Sequence, residues 1–142
     1  MRVTTKTIYA LQLLLALAEH SKVTRAPIQL REIAETYNLP FKFLEQIAIS
    51  LKAAGWIHGQ RGKEGGYILS ISPHQLALSD VLRLLEGDPS TRTATKSADE
   101  AAIDAFLLRC QAAADLVSEK TSLNDLLDEA THLRRTEPEY QI

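Results

Sequence analysis

A chain of 142 residues, 45% of them apolar, is long enough to bury one core and too polar to be built of membrane spans. Its net charge of −2 is split: residues 1–73 carry nine Lys/Arg against five Asp/Glu, and the remainder seven against thirteen. The two halves are therefore expected to do different jobs, one of them facing an anion.

The start, "MRVTTKTIYALQLLLALAEH", has early positive charge and an apolar run, the outline of a signal peptide. Gln12 interrupts that run, and Ile8, Leu11, Leu15 and Ala18 recur at helical spacing. The reading is an amphipathic first helix over residues 5–20, capped by Thr4 or Thr5, in a cytoplasmic protein. After the polar loop "SKVTRAP", "IQLREIAETY" predicts a shorter helix with Leu30, Ile33, Ala34 and Tyr37 on one side. "NLP" breaks it: Asn38 suits a left-handed residue, and Pro40 suits the first turn of a new helix. "PFKFLEQIAISLKAAG" predicts the third helix, burying Leu44, Ile47, Ala48 and Leu51 and ending at Gly55. Two helices joined by so short a turn have the helix-turn-helix outline.

"WIHGQRGKEGGYILSIS" comes next. Trp56, Ile57 and residues 67–71 favour strand, and the glycines between allow the chain to reverse. A nucleotide loop would need its glycines between a strand and a helix. Here Gly62, Gly65 and Gly66 lead into more strand, so the stretch reads as a β-hairpin, the wing of a winged helix.

Beyond Pro73 the chain predicts helices. "LSDVLRLLEG" has Ser79 as its expected cap. A polar connector follows, then a long helix over residues 98–120, then "TSLNDLLDEATHL" capped by Thr121 or Ser122. "RRTEPEYQI" is expected to fray. The long helix exceeds what a small winged domain needs to cover its core. Its apolar stripe, including Ile103, Phe106, Leu107, Cys110, Ala114 and Val117, calls for a partner, and a second copy is the simplest. The alternative is that it folds back on the first helix.

The fold class expected is thus mainly α: a winged helix-turn-helix domain over 1–73, with a three-helix core plus β-hairpin wing, a helical dimerisation region over 74–135 built on the long C-terminal helix, and a flexible tail over 136–142. In that arrangement the third helix enters the major groove, and the wing tip reaches phosphate or the minor groove. Arg61 is the candidate for insertion where a narrow A·T-rich minor groove concentrates negative potential. Lys63 would meet phosphate, supplying affinity without sequence information. On the third helix, Gln46 can pair with adenine, Glu45 can accept from cytosine, and Lys42 can reach guanine or phosphate. Phe43 or Ile49 can touch a thymine methyl. Arg2, Thr4 and Lys6 are candidate clamps on the backbone. A solvated helix face and an ordinary hairpin are the plain alternatives at these positions.

The single cysteine, Cys110, excludes an intramolecular disulfide and fits a reducing compartment. It reads as a core thiol rather than a redox sensor. His20, His58, His74 and His132 lack metal-ligand spacing, and no nucleophile–base pair or carboxylate pair stands out. Neither an enzyme nor a metal site is expected.

These residues together resemble the Rrf-two family of bacterial transcription regulators. The resemblance is carried by "MRVTTKTIYAL", "LREIAETYNLPFKFLEQI", "LKAAGWI", "RGKEGGYIL", "LALSDVLRLLEG" and "TSLNDLL", and weakens between about residues 88 and 105. It implies a homodimer with an intertwined long helix and a winged domain on each side, bound to pseudo-palindromic promoter DNA. It also implies minor-groove contact by Arg61 and base-side contacts by Lys42, Phe43, Glu45 and Gln46. Cluster-binding members place three cysteines after the "EG" that ends the fourth helix. Here "DPSTRTATKSADEAAIDAFLLRC" holds none before Cys110, so no iron–sulfur cluster and no cofactor is expected. The expected function is a sequence-specific, dimeric regulator, a repressor by preference, responding to an unknown effector or partner protein. The rival readings are a winged helix kept for protein interaction, and a regulator sensing through a small ligand or Cys110.

Overall fold

The computed structural model describes residues 3–87 and 97–136. In chain order it contains α1 (Thr5–Ser21), α2 (Leu30–Tyr37), α3 (Phe41–Ala53), β1 (Ile57–Gln60), β2 (Gly66–Leu69), a short 3₁₀ turn (Pro73–Gln75), α4 (Leu78–Glu86), α5 (Ala98–Lys120) and α6 (Leu123–Thr136). The mainly helical winged architecture expected from the sequence is what forms.

α1 is the hub. It packs against α3, α4, α6 and β2. Ala10, Leu13, Leu14 and Leu17 are its innermost side chains, meeting Ile33 of α2, Leu44, Ile47 and Leu51 of α3, and Leu123 and Leu127 of α6 in one core. The spacing had pointed to Ile8, Leu11, Leu15 and Ala18 instead. Only Ala18 of that set is fully buried, and Ile8 is 53% exposed. α1 is apolar on nearly every side from Ile8 to Ala18, so periodicity alone could not choose its inner face.

In α2, Leu30, Ile33 and Ala34 are buried as expected, whereas Tyr37 is 37% exposed. Asn38 takes the left-handed conformation (φ 53°, ψ 52°), which short polar side chains tolerate. Pro40 stands one place outside α3 as its N-cap rather than in its first turn. The four-residue buried stripe of α3 is as read from the sequence.

Several helix starts differ from expectation. Thr4 is the N-cap of α1 but makes no side-chain cap bond; its hydroxyl donates to Glu86. Ser79 lies inside α4 and is buried, and Ala77 takes the N-cap position. Ser122 does cap α6: its hydroxyl accepts from the Asp125 amide at 3.1 Å, while Asp125 accepts from the Ser122 amide at 2.9 Å. This reciprocal pair is a capping box. The same device starts α5, between Ser97 and Glu100.

α6 runs on through Arg134 and Arg135 to Thr136, where fraying had been expected. In this last stretch Arg134 pairs with Glu19 of α1 at 3.0 Å. Residues 137–142 lie outside the described residues.

α5, 23 residues long and so about 35 Å, packs on α4, where Arg83 bridges to Glu119 at 3.2 Å. Most of its apolar side chains face outward: Ile103, Phe106, Leu107, Leu108, Leu116 and Val117 are all exposed. Cys110 is exposed with them, which corrects its reading as a core thiol. The apolar stripe is real, but among the described residues nothing covers it.

Candidate nucleic-acid interface

The wing is built by a tight exchange between β1 and β2, paired antiparallel from Ile57 with Leu69 to Gln60 with Gly66. A further pairing fixes where the wing sits. Ile28, just before α2, donates its amide to the Tyr67 carbonyl at 3.0 Å and accepts from the Tyr67 amide at 2.8 Å. The wing is thereby laced to the segment leading into the helix-turn-helix. Gly66 makes this approach possible. Its φ is +149°, and a Cβ there would collide with the Ile28 carbonyl. The clustered glycines thus serve a close backbone crossing, against the segment that leads into α2, and a chain reversal.

Between α3 and the wing lies an open cleft of about 650 Å³. Glu45, Ile49 and Lys52 line one wall, at i, i+4 and i+7 on one face of α3. Gln60 and Arg61 of the wing line the other, and Gln29 and Arg31 close the end beside α2. Ile49 is 68% exposed, unusual for an isoleucine on a packed helix. The Arg31 guanidinium lies over the Phe41 ring, 4.3 Å from its centroid, a contact worth about 0.5–1 kcal/mol at an exposed site. Among the described residues no carboxylate pairs with Arg31, Lys52 or Arg61; the ion pairs present there are made by Arg83 and Arg134.

The residues singled out from the sequence fall in different places. Glu45 and Arg61 share the cleft. Lys42 and Gln46 are exposed on α3 outside its lining, and Lys63 is exposed at the wing tip. Phe43 is half-buried and stands edge-on to Tyr9, centroids 5.5 Å apart and planes at 86°. Its ring is therefore turned to α1, which leaves Ile49 as the apolar group on offer. Thr4 is engaged by Glu86 through both amide and hydroxyl, at 2.8 Å each. Lys6 is half-buried on α1, and Arg2 lies outside the described residues. Lys52 and Arg31 were missed. Lys52 was legible, because it continues the Glu45–Ile49 face; Arg31 was not, because α2 by itself does not say which way its first turn points.

A three-helix core, a short turn into α3 and a hairpin wing bearing an uncompensated arginine define a winged helix-turn-helix protein of the nucleic-acid-binding class. Residues 3–129 match the model of the Rrf2 family, described as iron-dependent transcriptional regulators. The chain belongs to this family and is a DNA-binding transcriptional regulator of the Rrf2 type. It is 34% identical to the HTH-type transcriptional regulator CymR of Bacillus subtilis over 126 residues, 89% of each protein. The solved structure of CymR, the global cysteine regulator of B. subtilis, superposes with a TM-score of 0.76 at 32% identity, covering 91% of this chain and 98% of that one. IscR of T. potens does so with a TM-score of 0.74 at 28% identity, covering 92% and 88%. These relatives are regulators rather than enzymes. No described helix is long and apolar enough to cross a membrane.

The family description names iron, and the donors here do not fit a thiolate-held cluster. Such a cluster takes several cysteines; this chain has one, exposed on α5. Among the described residues no three His, Cys, Asp or Glu side chains gather as a metal site.

Proposed function

We propose that the chain acts as a homodimeric, sequence-specific repressor that holds two winged heads against a pseudo-palindromic promoter site. In each head the exposed face of α3 enters the major groove. Glu45 and Gln46 read base edges, Ile49 meets a thymine methyl, and Lys42 and Lys52 reach guanine or phosphate. The wing lies along the duplex with Arg61 in the adjacent minor groove and Lys63 on phosphate. The second copy covers the apolar side of α5, through Ile103, Phe106, Leu107, Cys110, Ala114 and Val117. Repression requires only that the occupied promoter be blocked. The signal would be a partner protein or small effector acting on the spacing of the two heads, in a cytoplasmic protein that uses no iron–sulfur cluster.

One observation carries this reading: Arg61 and the Glu45–Ile49–Lys52 face of α3 line the same open cleft, whose cations have no carboxylate partner among the described residues. Selection of bound fragments from random DNA tests it. The expected product is a two-fold site whose half-sites are separated by about one helical turn, with Arg61→Ala losing affinity most at A·T-rich flanks. Selection that returns no shared sequence would remove the reading.

A further inference from the structure

We propose that Arg31 is a phosphate clamp, set in place by the Phe41 ring before DNA arrives. This rests on the DNA-binding reading and adds a contact from a different helix to those of α3 and the wing.

The geometry separates the two ends of the residue. The guanidinium carbon lies over the Phe41 ring, 4.3 Å from its centroid. A guanidinium held over a ring can rest its flat face there and keep the N–H donors around its edge available. No carboxylate among the described residues takes them up. Arg31 is exposed and lines the cleft shared by α3 and the wing, so the free edge opens on the surface where the duplex would lie. An unstacked arginine gives up considerable side-chain freedom on binding; here the aromatic support has already removed part of it.

Both supports of the clamp are fixed. Phe41 is the first residue of α3 and packs on the hydrophobic core. The start of α2 is held by Leu30 and Ile33, both buried, and by the Ile28–Tyr67 pairing with the wing. These contacts set the backbone that carries Arg31 relative to both α3 and the wing.

Phosphate is the favoured target over a base. In helix-turn-helix docking, the helix before the recognition helix crosses the sugar–phosphate backbone, and Arg31 is in the first turn of that helix. A guanidinium edge matches two phosphate oxygens as well as it matches a carboxylate.

The test is the salt dependence of binding by the full chain to its selected DNA site, with variants Arg31→Ala, Arg31→Lys and Phe41→Leu. Arg31→Ala should lower affinity about tenfold at low salt, equally on preferred and unrelated sequences, and reduce the slope of log K against log salt by about one. Phe41→Leu keeps the cation and an apolar side chain but removes the ring; it should lower affinity while leaving that slope unchanged. Arg31→Lys should behave likewise. A circular-dichroism melt of each variant confirms that it is folded. Unchanged affinity and slope in Arg31→Ala would overturn the clamp, as would a loss of preference at one base pair. A Phe41→Leu variant that binds like wild type would overturn the preset position. Failure of the wild-type chain to bind DNA is a separate result, and takes the underlying reading with it.

Discussion

The Thr7 hydroxyl, buried in the first turn of α1, donates to the carboxylate of Glu86 at the end of α4. The same oxygen of Glu86 accepts the amide and hydroxyl of Thr4. A negative charge thus sits at the positive end of α1, where unpaired amides collect, and ties the two helices together. The capping that Thr4 does not supply from its own side chain comes from α4. Thr7→Val preserves shape and removes one donor to a charged acceptor. It should cost about 1.5–3 kcal/mol, read as a lower urea midpoint with an unchanged slope. Glu86→Gln should destabilise as well, since it removes the charge from the helix end.

The wing glycines divide by what surrounds them. At Gly66 a side chain meets the Ile28 backbone, whereas at Gly62 (φ +114°) it meets open space. Gly62→Ala should therefore cost only backbone strain, about 1 kcal/mol. Gly66→Ala adds displacement of the wing from the α2 approach and should be the more damaging of the two. Hydrogen exchange at the Tyr67 amide reports this directly, because its acceptor is the Ile28 carbonyl. Faster exchange in Gly66→Ala than in Gly62→Ala is the expected order.

How far the sequence could be read follows from where the determining contacts lie. Local signals served well. The α3 stripe, the left-handed Asn38, the hairpin and the span of α5 each depend on neighbours within a few residues. Where distant segments decide, reading failed. Thr4 is occupied by a residue 82 positions away. Arg134, expected to fray, is helical and pairs with a residue 115 positions away. Cys110 sits on an apolar helix face that no described residue covers, so apolar neighbours did not imply burial. For the candidate site, Arg61 and Glu45 were legible from the glycine-rich wing and the helix period. The Arg31–Phe41 stack was not, because it depends on how α2 and α3 are set by their turn.

The α6 cap makes stability depend on acid. Asp125 is held below the usual carboxylate range, first by the Ser122 backbone amide and then by the Ser122 hydroxyl. A carboxyl whose folded pKa is depressed contributes stability above its unfolded pKa, about 4, and that contribution is lost as pH falls through the lower folded value. Asp125→Asn should therefore lower the melting temperature at pH 7, and the gap from wild type should close as the pH falls below the usual carboxylate range. Ser122→Ala should cost about 1 kcal/mol at neutral pH. The gap in melting temperature, followed from pH 7 down to pH 2, is the measurement.

The apolar face of α5 is where assembly is proposed. Phe106 is 54% exposed and Val117 68% exposed within one chain, so a charge at either position leaves the core of that chain intact. If a second copy covers this face, the same charge is driven into an apolar interface, where an unpaired carboxylate is costly. Phe106→Glu should then convert a dimer to a monomer in sedimentation equilibrium, with helical content retained. Its effect on DNA should exceed the loss of any one contact. Two linked heads bind a two-fold site with an effective-concentration gain of about a hundredfold or more, and a monomer forfeits that gain on the full site while keeping its affinity for an isolated half-site. Equal losses on full and half sites would instead mean that Phe106 acts within the head and that α5 does not join the two copies.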